Sequence, residues 1–263
     1  MRLAVFGLGE AGSLFAAGAV AAGAQVHGYD PADVATPEGV VRHETPTAAV
    51  TEADIVLALT AAVDAEGALR QALGAMPTTA VYADGATGSS GLKRRLSDLA
   101  AEHAVAFVDV ALMSPVPGKG IATPALASGS GAQRFVELMT PLGMDVVDDG
   151  PEAGRAAARK LLRSVVMKGF AALLIESMDA AHAAGLADET WENLVAQFTD
   201  ADEDLMRRLV VGTGGHSLRR MHEMEASAAL LVELGIDPVM TRGTVESLRR
   251  FESGDSTLPD LPA

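Results

Sequence analysis

The stretch that most constrains this chain runs from Leu3 to Asp30. An apolar run, Leu3-Ala4-Val5-Phe6, leads into Gly7-Leu8-Gly9-Glu10-Ala11-Gly12, then small residues to Gly23, then Gln25-Val26-His27-Gly28-Tyr29-Asp30. The pattern predicts a buried strand, a glycine turn, a helix and a second strand ending in an acid. Gly7 suits the tight turn, Gly9 lets a pyrophosphate approach the backbone, and Gly12 lets the helix pack closely on the strand. The pyrophosphate would rest on the helix N-terminus. Asp30, 18 residues after Gly12, stands where a ribose 2'-hydroxyl would donate to it. A secretory leader is the competing reading of the apolar run, but Glu10 and three glycines interrupt it.

Gly7, Leu8, Gly9, Glu10, Ala11, Gly12 and Asp30 are therefore expected to hold a dinucleotide. NAD is expected, with NADP as the alternative. Asp30 would repel a 2'-phosphate, and no Arg or Lys follows before Arg42. Asp30 also reads as a simple cap of the turn into Pro31-Ala32-Asp33.

Length and charge narrow the rest. The 263 residues, 49% hydrophobic, can bury one large core or two modest ones. The net charge of −15 argues against nucleic acid and against an anionic membrane as partner. Residues 1–154 carry 8 basic and 18 acidic side chains, and residues 155–263 carry 12 and 17, so the later part can set positive charge near an anionic ligand. With no cysteine, disulfides, thiolate catalysis and Cys-ligated metals are excluded, and the six histidines show no metal-binding spacing. No metal is expected. No apolar run is long enough to span a bilayer, so a cytoplasmic protein is expected.

After Asp30, short apolar runs alternate with helical stretches, as in a parallel sheet covered by helices. Strands are predicted at Asp54–Thr60, Ala80–Ala83, Val105–Leu112, Ala125–Ser128 and Asp145–Val147. Helices are predicted near Glu66–Leu73, at Gly91–Glu102 with Lys93, Arg94 and Arg95 on the wet side, and at Gln133–Leu142. Ligands bind outside the carboxyl ends of such strands, so Thr60, Asp84 to Thr87 and the loop Met113–Gly120 should line one crevice with Gly9. Asp84, Thr87 and Asp109 read equally well as turn formers.

From Glu152 to Ala184 there are ten alanines and no proline, and Gly185 suits a C-cap, so a helix of about 30 residues is expected. Only helical patterns follow: Glu189–Phe198, Asp202–Val211, His216–Leu234, and Pro238–Glu252 with Asp237 as N-cap. The loop Gly212-Thr213-Gly214-Gly215 should separate two of them. The expected architecture is an α/β fold. It has a Rossmann-like, mostly parallel dinucleotide-binding domain over 1–150, then a long interdomain helix opening an all-α substrate and dimerisation domain over 151–252. A disordered tail is expected over 253–263. The Leu- and Met-rich helices carry more apolar face than one copy can bury, so a homodimer through the helical domain is expected.

Within the long helix, Arg155, Arg159 and Arg163 form one basic stripe. Lys160 lies about 100° around from Arg159, among Ala153, Ala156, Ala157, Ser164 and Met167. Such a lysine is either a solvated surface residue, which periodicity alone favours, or a residue facing a cleft that a ligand fills.

The chain resembles the β-hydroxyacid dehydrogenases, whose first domain is of the 6-phosphogluconate dehydrogenase NAD-binding type. The family's GLGxMG matches Gly7 to Gly12. Its catalytic GxxGxGxxxKxxxN falls on Pro151 to Ser164, where Gly154 and Lys160 match while Pro151, Ala156 and Ser164 depart. Its later Lys-Asp pair falls on His222-Glu223. Its substrate motif DxPVSGG falls on Asp109 to Pro115, where bulky Met113 and the prolines 115 and 117 remove the family's backbone cradle for a carboxylate. The resemblance implies Lys160 and Ser164 as catalytic residues. Ser114 and Lys119 would replace the donors lost from the substrate motif, so Met113, Ser114, Lys119, Lys160 and Ser164 are expected around a small anionic substrate, and Thr60 and Thr87 at the strand ends, with His222, are expected among the cofactor contacts. The implied reaction is an NAD(P)-dependent interconversion of a hydroxyacid-type compound and its carbonyl partner. An imine reductase and a non-catalytic NAD(H)-binding sensor are the alternatives.

Overall fold

The computed structural model describes residues 1–262. They form two compact units, Met1–Arg163 and a second that begins at Ser164. In the first, chain order is β1 (Arg2–Phe6), α1 (Glu10–Ala21), β2 (Gln25–Tyr29), β3 (Val40–Arg42), α2 (Pro46–Val50), β4 (Ile55–Ala58), α3 (Ala65–Leu73) and β5 (Val81–Asp84). Then come α4 (Ser90–Glu102), β6 (Ala106–Leu112), a 3-10 turn Gly120–Ala122, β7 (Ala125–Ser128), α5 (Ala132–Met139) and β8 (Val146–Asp148).

The strands make one eight-stranded sheet in the order β3-β2-β1-β4-β5-β6-β7-β8. Every pair is parallel except β6 with β7. The central strands are apolar at nearly every position because both faces are covered, as a parallel sheet requires. Leu3, Val5 and Leu57 pack with Phe15 of α1 and Phe135 of α5 on one face. Phe6, Val56 and Tyr82 pack with Leu69 of α3 and Leu96 of α4 on the other. The strand order reverses between β1 and β4, which opens a crevice at their carboxyl ends.

The helix α6 (Arg155–Ala184) spans 30 residues, and its first turns, up to Arg163, belong to the first unit. The second unit continues with α7 (Ala187–Thr199), α8 (Glu203–Gly214), α9 (Ser217–Glu233) and α10 (Val239–Glu252). Two local expectations are corrected here. Gly212, Thr213 and Gly214 are the last turn of α8 and not a loop. Thr213 donates to the Leu209 carbonyl and accepts from Arg220, which ties this turn to α9.

Asp237 pairs with Arg242 instead of capping α10, whose N-cap residue is Pro238. The cap comes from Glu176 of α6. Its carboxylate accepts from the Met240 amide at 2.7 Å, the Thr241 amide at 2.8 Å and the Thr241 hydroxyl at 2.6 Å. Burial alone would raise the Glu176 pKa, but the Thr241 hydroxyl and the two amides hold it below the usual glutamate value.

After α10, residues 253–262 form no helix or strand. Leu258 lies against Gly214, and Arg207 donates to the Pro262 carbonyl. No helix among the described residues is long and apolar enough to cross a membrane.

Candidate active site

The crevice beside β1 and β4 has a volume of about 480 Å³ and is lined by Gly7, Gly9, Asp30, Pro31 and Thr60 among others. Its glycines have different duties. Gly7 has φ +85°, and a Cβ there would stand 2.6 Å from the Leu59 carbonyl oxygen. A Cβ on Gly12 would stand 1.8 Å from the carbonyl oxygen of Gly7. Those two positions are dictated by the protein's own packing. A Cβ on Gly9 would meet nothing within 4 Å, so its open face suits a ligand's close approach. Gly9 is also the N-cap of α1 and offers no side chain, leaving the first-turn amides of Glu10, Ala11 and Gly12 to an external anion. These residues fit a dinucleotide pyrophosphate.

Asp30 combines its two expected roles. One carboxylate oxygen accepts from the Leu8 amide at 2.7 Å, and the other caps the turn by accepting from the Ala32 amide at 2.8 Å. Each oxygen keeps a lone pair that a ribose hydroxyl can use. Arg42, the first Arg or Lys after Asp30 in the sequence, is brought beside it in space. Pairing of β3 with β2 sets Arg42 opposite Gly28, and its guanidinium donates to the carbonyls of Asp30, Ala32 and Val34. Three carbonyls already engage those donors.

Lys93 overturns the wet-side reading. It is 1% exposed, and its ammonium bonds to an Asp84 carboxylate oxygen at 2.7 Å and to the Asp84 carbonyl at 2.8 Å. The Asp109 carboxylate lies 3.3 Å away, an ion pair without hydrogen-bond alignment. Asp84 and Asp109 are fully buried acids at paired positions of β5 and β6, and Asp84 also serves the turn after β5, its other carboxylate oxygen accepting from the Ala86 amide at 3.2 Å. Burial pushes the Asp84 carboxyl above its usual range, against the pull of Lys93.

Asp109 continues the network. Its second oxygen accepts from the Ala157 amide at 2.8 Å, and the Ser128 hydroxyl accepts from the Ala156 amide at 3.0 Å. The positive end of α6 thus offsets the carboxylate charge that Lys93 leaves unbalanced. Ser90 donates to the Gly154 carbonyl at 2.8 Å, and at Gly154, with φ +92°, a Cβ would come within 2.7 Å of the Ser90 carbonyl oxygen. The start of α6 is therefore locked to β6, β7 and α4.

That lock places Lys160, whose ammonium donates to the Thr87 hydroxyl at 3.0 Å. A cavity of about 10 Å³ beside them is lined by Thr87, Asp109, Ala157 and Lys160 among others. The structure also groups Met113, Ser114 and Lys119. The Lys119 ammonium donates to the Ser114 hydroxyl at 3.2 Å, and Arg163 donates to the Met113 carbonyl at 2.6 Å. Ser164 follows Lys160 by one turn on α6, and His222 lies exposed on α9 in the second unit. Sequence reasoning missed Lys93, Ser128 and Ser90, and nothing in their local spacing marks them. Their partners come from other strands and helices.

The reversed sheet order with a glycine turn at its switch point defines a dinucleotide-binding protein of the Rossmann type. The chain belongs to the family described as the NAD binding domain of 6-phosphogluconate dehydrogenase, matched over residues 2–142. Residues 181–251 match a domain of unknown function, DUF1932. The chain is 26% identical over 205 residues to a probable 3-hydroxyisobutyrate dehydrogenase of Mycobacterium bovis, covering 75% of this chain and 69% of that protein. An uncharacterised 28.5 kDa protein of Methanothermus fervidus is 29% identical over 146 residues, 56% of this chain, and the chain spans 57% of that relative's length.

Among solved structures, a conserved protein of unknown function, described as structurally similar to 3-hydroxyacid dehydrogenases, is 28% identical with a TM-score of 0.62, covering 97% of this chain and 98% of that one. An imine reductase from Myxococcus stipitatus in complex with NADP+ has a TM-score of 0.81 at 19% identity, covering 97% and 95%, a likeness of fold alone. The chain is an NAD(P)-binding member of a dehydrogenase and reductase family.

Proposed function

We propose that this protein is an NAD(P)-dependent oxidoreductase interconverting a small anionic hydroxy compound and its carbonyl partner, with Lys160 as general acid and base. The observation that carries the reading is the placement of the Lys160 ammonium. It is held at Thr87 beyond the carboxyl end of β5, on a helix whose first turn Asp109 and Ser128 tie to the sheet. The nicotinamide, when bound, supplies or accepts the hydride. As negative charge develops on the carbonyl oxygen, the Lys160 ammonium stabilises it and delivers its proton, and in oxidation the neutral amine takes that proton back. Lysine suits both tasks because it can lose its proton near neutrality when its surroundings change, whereas guanidinium stays charged. Ser164 is the candidate to orient the ammonium or the substrate.

The first 150 residues serve the dinucleotide. Residues 151–252 supply Lys160 and the surface on which two copies associate. NAD is preferred to NADP in this reading because Asp30 accepts a ribose hydroxyl and Arg42 is already engaged by carbonyls. A kcat/KM favouring NADPH would contradict that preference. The relative named as a probable 3-hydroxyisobutyrate dehydrogenase supports a hydroxyacid-type substrate.

The central test is Lys160→Met measured beside Arg159→Met across hydroxyacids, semialdehydes and imines. Lys160→Met should lose on the order of 10²- to 10⁴-fold in kcat with NADH binding unchanged, and Arg159→Met should keep most activity. Equal, small losses would place the catalytic proton elsewhere. Turnover of imines alone would favour the imine reductase reading. NADH binding with no turnover of any candidate would favour a sensor.

A further inference from the structure

The loop after β6 has lost several of the backbone donors that the family's small-residue motif offers an acid group, and two cationic side chains stand there. Pro115 and Pro117 have no amide hydrogen. The Met113 amide donates to the Pro124 carbonyl at 2.7 Å, and the amides of Lys119 and Gly120 both donate to the Val116 carbonyl. The loop is nonetheless anchored. Val116 is buried, and Ile121 packs so closely over Gly18 of α1 that a Cβ there would come within 2.6 Å of it.

Two cations stand on this anchored loop at adjacent residues, Arg163 on Met113 and Lys119 on Ser114. Both bond only to neutral oxygens. Among the described residues neither makes an ion pair, whereas Arg155 and Arg159, earlier on the same stripe of α6, both pair with Asp149. The sequence keeps carboxylates away from this place. None occurs between Asp109 and Glu137, or between Glu152 and Glu176, in a chain whose net charge is −15. Arg163 is also three residues after Lys160, the spacing at which side chains on a helix are neighbours.

We infer that Arg163 and Lys119 clamp the oxyanion of the substrate, a carboxylate or a phosphoryl group, in place of backbone amides. The inference rests on the reading of Lys160 as the proton donor at the same site. The planar guanidinium engages two oxygens of such a group at once, the Lys119 ammonium holds the third side, and the acid group is thereby set close to the carbon whose oxygen Lys160 protonates.

The test is calorimetric titration of malonate and of inorganic phosphate into the full-length protein saturated with NADH, for wild type, Arg163→Gln, Arg163→Lys, Lys119→Gln and the surface control Lys168→Gln. Arg163→Gln and Lys119→Gln should each weaken oxyanion binding about 10- to 100-fold while NADH affinity stays the same. Arg163→Lys should recover part of the loss, and Lys168→Gln should bind as wild type. Tighter malonate binding assigns a carboxylate substrate and tighter phosphate binding a phosphorylated one. Either supports the clamp. No oxyanion binding by the wild type at millimolar concentration, or equal binding by Arg163→Gln and Lys119→Gln, overturns it. If Lys160→Met kept its turnover, the proton-transfer reading would fail while the binding result stood. Intact oxyanion binding in Arg163→Gln with turnover lost in Lys160→Met would reject the clamp alone.

Discussion

The two units of the chain bury their apolar residues very differently. In the first, Leu3, Ile55, Leu57 and Tyr82 are 0% exposed, sealed between helices on both faces of the sheet. In the second, the most buried large apolar side chains, Leu231, Val245 and Leu248, retain 7–8% exposure, while Val165 is 71% exposed, Ile175 64% and Trp191 53%. A sheet covered on both faces completes its core within one copy, whereas the helices of the second unit leave these apolar side chains uncovered. Polar staples do part of the holding instead. Glu176 caps α10, and the Ser217 hydroxyl donates to Glu252 at 2.7 Å. The first unit therefore carries charge inside a finished core, and the second carries apolar surface outside an unfinished one.

The sharpest test of the finished core is Lys93→Met, which leaves Asp84 and Asp109 buried without their cation. It should destabilise the first unit by about 3–5 kcal/mol, read from urea unfolding followed by hydrogen exchange at β5 and β6. Adding Asp84→Asn should recover part of that loss, because one of the stranded charges is then gone. A loss below about 1 kcal/mol would mean that the network is not a closed charge balance.

The unfinished core is tested next by Val165→Asp. If a second copy covers α6, light scattering should give a dimeric mass for the wild type at micromolar concentration, and the variant should dissociate about 30-fold more readily. A monomeric wild type with full activity would break the contrast between the units. Glu176→Gln should cost about 1 kcal/mol and fray α10 first, because the amide retains only one acceptor oxygen for three donors. Unchanged exchange at the Met240 and Thr241 amides would show that the cap is replaceable.

The smallest effect concerns His27. Burial, then Arg2 and then His43, lower its pKa below the usual histidine value. The unfolded chain therefore binds that proton more readily, so the stabilising contribution is present above about pH 6.5 and is lost as pH falls through the lower folded-state value. Asp84, whose pKa is raised, works in the opposite sense, its contribution being lost as pH rises through its folded value. A stability that does not fall between pH 7 and pH 5, or a His27→Asn variant with the same slope, would place the titrating group elsewhere.

Much of the first unit was legible because its signals are local. A strand, a glycine turn and a helix lie within 21 residues, and the crowding of Gly12 against the Gly7 carbonyl arises within that run, whereas Gly7 is crowded by Leu59 beyond β4. The short elements β3 and α2, of 3 and 5 residues, were not legible because neither is long enough to show a period. Lys93, read as a solvated member of a basic run, was misjudged because its environment is made by β5 and β6 and not by its own helix. Arg42 looked remote from Asp30 because the pairing of β3 with β2, invisible in the spacing, folds it back.

The sequence by itself determined the α/β order, the dinucleotide turn and the long helix, since each depends on residues within a few turns of one another, and it made Lys160 a candidate through a motif of which Gly154 and Lys160 are kept. The tertiary structure alone decided what surrounds that lysine. Its bond to Thr87 spans 73 positions, the Asp109 cap on α6 spans 48, and the Glu176 cap on α10 spans 64. Such partners meet only when the sheet closes, because a buried charge or a helix end must find its complement wherever the packed chain brings one.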